Sequence, residues 1–421
     1  MIIGNVFRII NVYSIFIMPI SIFEIIEINQ KYLLERLPTF QRFCMQDIDW
    51  SFPLVGLIGG RGVGKTTMML QRLKTCEQGV YFSCDNIDVQ SFGLYTLVFS
   101  LVHDYGKRFI FIDEVHKYPN WIQEIKNCTD SFPDVPIVVS GSSGIDIQKS
   151  GYDLSRRILP YHIPTVSFRE FLAYKYKVIL PALTIEEIVS DYKKLSIQFA
   201  PKLKSSYLTE YCKEYSYFYR ATVATKEEYY LLLENSVKKV LYEDIVRLFP
   251  MSGTNLPAIE RMLVLFSVMS PSGMSYAKIA QKLSLDPKTI EYYAEILEMV
   301  GLINIVKRYD TVTNHLVKEK KFFLENVNLM EVFKRKFTTA EQVGMSREVF
   351  FVDCVKRVPD LYVSLHSTYD FYIRHKEFSM IFEVGGKGKT IKKIDEKVLI
   401  VSDDILIGDE SRIPLWMFGL L

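Results

Sequence analysis

Gly59-Gly-Arg-Gly-Val-Gly64-Lys65-Thr66 is the stretch that decides the fold of this sequence. It fits the pattern GxxxxGK(S/T), follows an apolar run at 54–58 and opens a helical stretch at 67–73. Glycines in such a loop let backbone N–H groups turn toward phosphate oxygens, and the start of the helix adds positive potential. The pattern predicts a phosphate-binding loop that holds ATP through Gly59, Gly60, Arg61, Gly62, Val63, Gly64, Lys65, Thr66 and Thr67.

Two carboxylates follow a second apolar run, Phe109-Ile-Phe-Ile-Asp113-Glu114. A strand of this kind ends beside the phosphates, so we expect Asp113 to hold Mg²⁺ through water and Glu114 to act as the general base. The Thr66 hydroxyl is the other expected ligand of Mg²⁺. Lys65 is expected to neutralise the β- and γ-phosphate oxygens.

Five short apolar runs predict the sheet that carries both motifs, at 54–58, 80–84, 109–112, 136–139 and 161–163. Buried parallel strands have this composition, and helical stretches separate the runs. We therefore predict an α/β fold of the P-loop NTPase class, whose ligands lie at the carboxyl ends of parallel strands. The run at 80–84 lies between the two motifs, which together with Glu114 favours the hydrolytic branch over the kinase branch.

Three further residues are candidates for catalysis. Ser140 ends the fourth apolar run, where a hydroxyl could sense the γ-phosphate or orient water; a plain turn is the alternative. Arg156 and Arg157 precede the last run and could stabilise transition-state charge, within the molecule or across a subunit interface. Solvated surface arginines are the alternative for this pair.

Length and composition limit the class of protein. With 421 residues, 49% of them hydrophobic, the chain should form several folded domains. Its net charge of only +2 gives weak support to a nucleic-acid partner. The six cysteines form no CxxC pair, which favours a reducing, cytoplasmic location. The apolar start at 1–23 contains Arg8 and Pro19 and no cleavage site, so it gives no firm membrane signal.

The middle of the chain changes from alternating strands to helical spacing. Residues 173–250 predict a helical lid, rich in Tyr, Lys, Glu and Leu. Residues 251–315 predict three helices and a strand in a winged-helix pattern. The helix at 288–299 would be the recognition helix of a DNA-binding winged helix. It carries Glu291, Glu295 and Glu298, which would repel a phosphate backbone. This favours contacts with a protein partner, self-association or other domains over direct DNA reading.

Seven stretches together resemble a known group of proteins. They are Gly59 to Thr66, the run from Phe111 through Asp-Glu-Val-His-Lys-Tyr-Pro-Asn to Trp121, Ser140 to Ser143, Asp153 to Arg157, Ser167-Phe-Arg-Glu-Phe-Leu172, Phe382 to Lys389, and Pro414 to Phe418. The sequence resembles AAA-type, STAND-like bacterial and archaeal ATPases with a winged helix and a C-terminal restriction-endonuclease-like domain. The resemblance implies ATP binding, slow turnover and a switch-like role. We therefore expect five parts of the chain: an N-terminal segment (1–30), a P-loop core (31–172), the lid (173–250), the winged helix (251–315) and an endonuclease-like domain (316–421).

The last domain contains a candidate second metal site. Two strands flanking Lys376-Glu377 would place Asp370 opposite Glu383, and facing carboxylates repel unless a cation lies between them. Glu348 could complete the acidic group of an endonuclease-like site. The lysine usual two residues after the glutamate is replaced by Gly385; Lys387 is the nearest substitute, one pleat or about 7 Å further. A working nuclease, a degenerate scaffold and an unrelated fold are the three alternatives.

Three functions are compatible with these patterns. The first is an ATP-driven switch in which the nucleotide sets the position of the other domains. The second is an ATP-regulated DNA endonuclease that uses Glu348, Asp370 and Glu383 with nearby lysines. The third is a signalling scaffold that binds nucleotide without useful turnover. ATP turnover, measured with and without DNA, separates the three.

Overall fold

The computed structural model describes residues 20–141, 154, 156–249, 255–268, 274–309, 316–335, 343–386, 388–391 and 398–421. Residues 1–19 of the expected N-terminal segment lie outside these ranges, as do Ser142, Ser143 and Lys387. No helix in the described part of the chain is long and apolar enough to cross a membrane.

Five parallel strands form the sheet of the N-terminal half. They are β1 (Leu54–Ile58), β2 (Gly79–Ser83), β3 (Phe109–Asp113), β4 (Ile137–Gly141) and β5 (Leu159–His162). Their order in space is β2-β3-β4-β1-β5. The register brings the ends of β1, β3 and β4 to one edge, with Ile58 beside Gly141 and Ile112 beside Val139. The predicted parallel α/β core is confirmed.

Helices cover both faces of this sheet. They are α1 (Ile22–Glu35), α2 (Lys65–Leu73), α3 (Ile87–Phe92), α4 (Leu94–His103) and α5 (Trp121–Ser131). Helix α1 begins with a capping box in which Ser21 and Glu24 satisfy each other's backbone N–H groups. The expected boundary at residue 30 therefore falls inside a helix that packs on β2.

A helical region follows the core. Its helices are α6 (Phe168–Phe171), α7 (Ile185–Phe199), α8 (Ser205–Glu214), α9 (Lys226–Lys239) and α10 (Val246–Leu248). A π-helical turn at Leu172–Tyr176 extends α6, and another at Val240–Ile245 joins α9 to α10. The second turn matters for the site, because it places Asp244 toward the phosphate loop.

Three helices and a hairpin come next: α11 (Leu256–Val268), α12 (Tyr276–Leu283), α13 (Pro287–Met299), β6 (Ile303–Tyr309) and β7 (Leu316–Leu324). Strands β6 and β7 pair antiparallel, so the expected domain boundary at 315/316 lies within one hairpin. Strand β6 also contacts the C-terminal sheet through Arg308 and Leu365. The hairpin is therefore continuous with the C-terminal part of the chain.

The C-terminal part contains α14 (Val327–Lys334), α15 (Val343–Lys356), β8 (Tyr362–Leu365), β9 (Phe371–His375), β10 (Phe378–Val384), β11 (Val398–Ser402) and β12 (Arg412–Pro414). With β6 and β7 these strands form a mixed sheet of order β12-β11-β10-β9-β8-β6-β7. A two-residue turn at Lys376-Glu377 joins β9 to β10, and Lys376 has the positive φ of 51° that such turns require. The pairing Phe371 with Phe382, continued by one residue, sets Asp370 opposite Glu383.

Alternate residues of β1 belong to two different cores. Leu54 and Ile58 pack with α4 and α5 on one face of the parallel sheet. Val55 and Leu57 belong to a cluster that continues through the helical region to Phe351 and Phe418 near the C-terminus. One face of the parallel sheet is thus packed against the helical region and the C-terminal part of the chain. Movements of this sheet can therefore be transmitted to them through side-chain contacts.

Candidate nucleotide site

The loop between β1 and α2 turns through two glycines with positive φ, 82° at Gly62 and 101° at Gly64. Both angles exclude ordinary side chains. A Cβ at Gly64 would meet nothing within 4 Å, so this position borders open space next to the start of α2. Lys65 is buried, and its ammonium donates to the carbonyl oxygens of Gly59 at 2.8 Å and Gly60 at 3.1 Å. The loop has the shape of an anion cradle closed by one cation.

Thr66 and Asp113 meet at the carboxyl ends of β1 and β3. The Thr66 hydroxyl donates to Asp113 Oδ2 at 2.6 Å, and the Tyr81 hydroxyl donates to the same oxygen at 2.8 Å. Asp113 is buried, so these donors offset the loss of water around its charge. A hydroxyl and a carboxylate in contact are the hard oxygen ligands that Mg²⁺ prefers.

Ser140 joins Asp113 to Glu114 from the end of β4. Its hydroxyl donates to Asp113 Oδ1 and accepts from the Glu114 backbone N–H at 3.0 Å. The structure therefore places this predicted residue on the carboxylate motif, where it holds the backbone of Glu114. Its expected role toward the γ-phosphate stays a prediction.

Glu114 has an unusual conformation and an unusual environment. Its φ of 51° is in the left-handed region, which a non-glycine residue adopts at some cost. Burial raises the pKa of its carboxyl group, and the Lys65 ammonium opposes that rise. Its Oε2 lies 3.2 Å from His116 Nε2. A carboxyl group with a raised pKa beside a phosphate loop is suited to accept a proton from water.

These residues fit ATP with Mg²⁺ as judged by the donor set. The loop offers backbone N–H groups and open space at Gly64, and burial lowers the pKa of Lys65 while Glu114 and Asp113 oppose that change. Two nearby carboxylates, Glu114 and Asp113, already favour the charged form of this buried ammonium. A phosphate group would supply a further anion in direct contact with it. Thr66 and Asp113 would hold the metal, and the backbone from Gly59 to Thr67 the phosphates.

The helical region touches the loop at two points. Arg61 donates to Asp244 through Nε at 3.1 Å and Nη2 at 3.0 Å, a two-point ion pair. A Cβ at Gly62 would lie 2.7 Å from Tyr219 Cε1, so only glycine fits beneath that ring. The loop therefore has direct contacts with residues that follow it by more than 150 positions.

A second set of contacts joins the loop to the C-terminal part. Arg42 donates to Val63 O at 2.6 Å and to Thr165 O at 3.1 Å. Arg357 donates to the same carbonyl oxygen at 2.8 Å and to the Thr165 hydroxyl at 2.7 Å, while it pairs with Asp353 of α15. Two guanidinium groups, one buried (Arg42) and one partly buried (Arg357), thus link the phosphate loop to α15.

The motif Ser167-Phe-Arg-Glu-Phe has a structural explanation. Ser167 and Glu170 form a capping box at the start of α6. Glu170 Oε1 also accepts from Arg42 Nε at 2.8 Å and from the Phe43 N–H at 2.8 Å. Burial raises the pKa of Glu170, but Arg42 and the backbone donors outweigh it and hold the pKa below its usual value. The motif therefore fixes Arg42 beside the loop.

Arg156 and Arg157 lie at the surface before β5. Arg156 is exposed, and Arg157 Nη1 lies 2.5 Å from Asp130 Oδ1 on α5. Both partners in that pair are substantially exposed.

Residues 51–172 match the family model described as AAA domain. This match covers the whole loop, the Asp113-Glu114 motif and Ser140, and it supports an ATP-binding domain of the AAA type. A second model, described as a domain of unknown function (DUF8612), matches residues 217–337. That region crosses both expected boundaries of the winged-helix-like part. No curated protein matches the sequence.

Several solved structures are similar to the chain at low identity. The ORC1 protein of Aeropyrum pernix in complex with DNA is 12% identical, with 73% of this chain and 92% of that chain covered and a TM-score of 0.28. A STAND protein of Pyrococcus horikoshii with a tetratricopeptide repeat sensor is 12% identical, with 77% and 46% covered and a TM-score of 0.26. AMPPCP-bound DnaA of Aquifex aeolicus is 14% identical, with 64% and 86% covered and a TM-score of 0.25. The scores are low, so these structures carry no argument, and the match to the AAA-domain model concerns residues 51–172 alone.

The carboxylates of the expected second metal site have lysine partners. Lys321 of β7 lies 3.2 Å from both Glu348 Oε2 and Asp370 Oδ1. Lys389 forms an ion pair with Glu383. Within the described residues no group of three or more His, Cys, Asp or Glu side chains could hold a metal ion. Lys387, the expected substitute lysine, lies outside the described residues.

Sequence reasoning missed Tyr81, Arg42, Asp244 and Lys321. Tyr81 lies on the strand next to β3, and no local pattern marks its hydroxyl as a partner of Asp113. The other three reach their sites from 21 or more residues away in the chain. Only tertiary packing brings them there.

Proposed function

We propose that this protein binds and hydrolyses ATP with Mg²⁺ at residues 59–67, 113 and 114, and that the nucleotide state controls contacts with its helical and C-terminal parts. One observation carries the proposal: the Thr66 hydroxyl and the Asp113 carboxylate are 2.6 Å apart, at the end of the loop that Lys65 closes. A metal-binding pair and a phosphate-binding cation are thus next to each other on rigid elements.

Each residue has a defined task in this proposal. Thr66 and Asp113 would hold Mg²⁺, which would neutralise the phosphate charge that develops in the transition state. Lys65 holds the phosphates, and the Glu114 carboxylate takes the proton of the attacking water. Tyr81 and Ser140 orient Asp113 and Glu114 through the hydrogen bonds described above.

The switch part of the proposal is supported by the two contacts that leave the loop. Arg61 contacts Asp244 in the helical region, and Arg42 shares Thr165 O with Arg357 at the end of α15. A movement of the loop on phosphate binding would alter both. The first contact is a two-point ion pair and the second is a carbonyl oxygen shared by two guanidinium groups. Contacts with such fixed geometry change between discrete arrangements rather than gradually.

We further propose a protein partner or self-association in preference to DNA. We interpret α11 to α13 with the β6–β7 hairpin as a winged helix used for packing. Helix α13 presents an acidic side: Glu291 lies 3.9 Å from Lys320 and Glu298 lies 3.4 Å from Lys356. Carboxylates repel the phosphate backbone of DNA, and the nearby lysines are already engaged with these carboxylates.

The test compares Lys65→Ala with Glu114→Gln. Lys65→Ala should abolish ATP binding, because the loop loses its phosphate cation, whereas Glu114→Gln should retain ATP and lose turnover. Binding is measured with a fluorescent ATP analogue, and turnover by phosphate release under excess ATP, with and without DNA. Equal ATP affinity in Lys65→Ala and wild type would exclude the proposed site. Binding without multiple turnovers in wild type would favour the scaffold.

A further inference from the structure

Three carboxylates and two ammonium groups lie close together in the C-terminal part of the chain. Glu348 comes from α15, Asp370 precedes β9, and Glu383 lies near the end of β10. Lys321 comes from β7, and Lys389 follows β10. In an endonuclease-like sheet these carboxylates would be the ligands of a divalent cation, so the position of each lysine decides whether a metal fits.

Lys321 lies between two of the carboxylates. Its ammonium nitrogen is 3.2 Å from Glu348 Oε2 and 3.2 Å from Asp370 Oδ1, a hydrogen-bond distance to both. The Lys321 side chain is 14% exposed, and the Glu348 and Asp370 side chains are each 15% exposed. The ammonium also lies over the Phe371 ring, 5.5 Å from its centroid. The cation is held from three sides.

Two further acceptors of the cluster are also engaged. Asp370 Oδ2 accepts from the Val384 backbone N–H at 3.0 Å, and Glu383 Oε1 accepts from Lys389. Lys389 reaches Glu383 by folding back over Gly385, where a Cβ would overlap its side chain. The glycine that interrupts the usual lysine spacing therefore makes room for a lysine four positions later.

A divalent cation does not fit this donor set while the lysines stay. Mg²⁺ requires oxygen ligands at about 2.1 Å in an octahedral arrangement, so it would have to replace the Lys321 ammonium between the same two oxygens. Both positive charges cannot share so largely buried a site without strong repulsion. Burial opposes the charge of Lys321, but Glu348 and Asp370 outweigh it and raise the pKa of the ammonium. The lysine stays charged at neutral pH.

We propose that the Lys321 ammonium permanently occupies the cation position between Glu348 and Asp370, so that the C-terminal cluster is a metal-free ion-pair network and does not support metal-dependent strand cleavage. Removal of Lys321 would leave two carboxylates, Glu348 and Asp370, free to ligate a divalent cation in its place. This inference is independent of ATP hydrolysis at the phosphate loop.

The experiment measures Mn²⁺ binding by electron paramagnetic resonance on the nucleotide-free full-length chain. Every variant carries Thr66→Ala, so that the phosphate loop contributes no metal. Lys321→Met, which keeps the length of the side chain without its charge, should gain about one Mn²⁺ per chain. Adding Asp370→Asn to Lys321→Met should remove that ion. Lys389→Met is the matched control, because it frees only Glu383 and should bind little Mn²⁺.

Two Mn²⁺-binding results would overturn the proposal. One is Mn²⁺ binding by the chain with Lys321 intact that Asp370→Asn abolishes, a measurement that needs no Lys321 variant to fold. The other is a folded Lys321→Met protein, verified by its melting temperature, that gains no Mn²⁺. A plasmid-nicking assay with Mg²⁺ is run in parallel on wild type, and nicking that is lost in Asp370→Asn would also contradict the inference.

Discussion

Arg61 in the phosphate loop and Asp244 in the helical region form a two-point ion pair, with N–O distances of 3.1 Å and 3.0 Å. The Asp244 side chain is 4% exposed and that of Arg61 is 18% exposed. Such a pair is sensitive to the loss of one partner, because the other is left in a partly desolvated place. It is therefore the point at which the helical region can sense the loop.

We expect Arg61→Gln and Asp244→Asn to be coupled. A double-mutant cycle should give a coupling free energy of about 1–2 kcal/mol in urea unfolding, since each single change removes the same contact. Release of a fluorescent ATP analogue should be faster in Asp244→Asn. Glu243→Gln is the control: its carboxylate is 3.4 Å from Arg61 and 47% exposed, so its effect should be small. Additive effects of the two main substitutions would show that the pair couples nothing.

Tyr81→Phe should raise the Mg²⁺ concentration that ATP hydrolysis requires, without blocking ATP binding. The hydroxyl shares Asp113 Oδ2 with Thr66, so its removal leaves the expected metal ligand less well oriented. We expect the Mg²⁺ concentration for half-maximal ATPase activity to rise about tenfold, at unchanged metal-free ATP affinity. Tyr118→Phe removes a hydroxyl bonded to Glu124 instead and should leave the Mg²⁺ dependence unchanged.

The difference between what sequence could and could not predict follows from distance along the chain. The loop at 59–66 and the Asp113-Glu114 motif are local patterns whose geometry is fixed by glycine conformations and by the end of a strand. The pairing of β9 with β10 is local too, since a two-residue turn sets its register. Features of this kind can therefore be predicted from the sequence.

Contacts between distant segments leave no such pattern. Lys321 precedes Asp370 by 49 residues, and Arg42 precedes Glu170 by 128. A single lysine or arginine in the sequence is compatible with many environments. Only the packing of β7 against α15 and β9 brings Lys321 between Glu348 and Asp370. The acidic residues of the C-terminal cluster could be predicted as neighbours, but their lysine partner could not.

Arg157→Ala and Arg156→Ala should differ in their effects on turnover. Arg157 pairs with Asp130 at an exposed position, so its loss should change the ATPase rate by no more than about twofold, and Asp130→Ala should behave in the same way. Arg156 is exposed, as a residue that acts on a neighbouring subunit must be. For Arg156→Ala we expect at least about tenfold slower turnover at unchanged ATP affinity. Full activity in both variants would mean that neither arginine takes part in catalysis.

Glu325 should make the stability of the protein depend on pH. Its side chain lines a cavity of about 500 Å³ that also borders Gly60, Asp353 and Arg357. Burial raises the pKa of Glu325 from 4.5 to about 8, with the Asp353 carboxylate adding to the effect. Between these two values the unfolded chain has lost a proton that the folded chain keeps, so the stability due to this group falls as pH rises.

Glu325→Gln should remove that dependence, because the amide resembles the neutral carboxyl group at every pH. Relative to wild type, the free energy of unfolding of the variant should increase by about 4 kcal/mol between pH 5 and pH 8.5. Urea unfolding at four pH values across this range measures the difference. Glu291→Gln changes an exposed glutamate of α13 and should follow wild type throughout. If Glu325→Gln also follows wild type, the Glu325 carboxyl is already ionised in the folded protein at pH 5, and the cavity beside the phosphate loop is far more hydrated than its lining indicates.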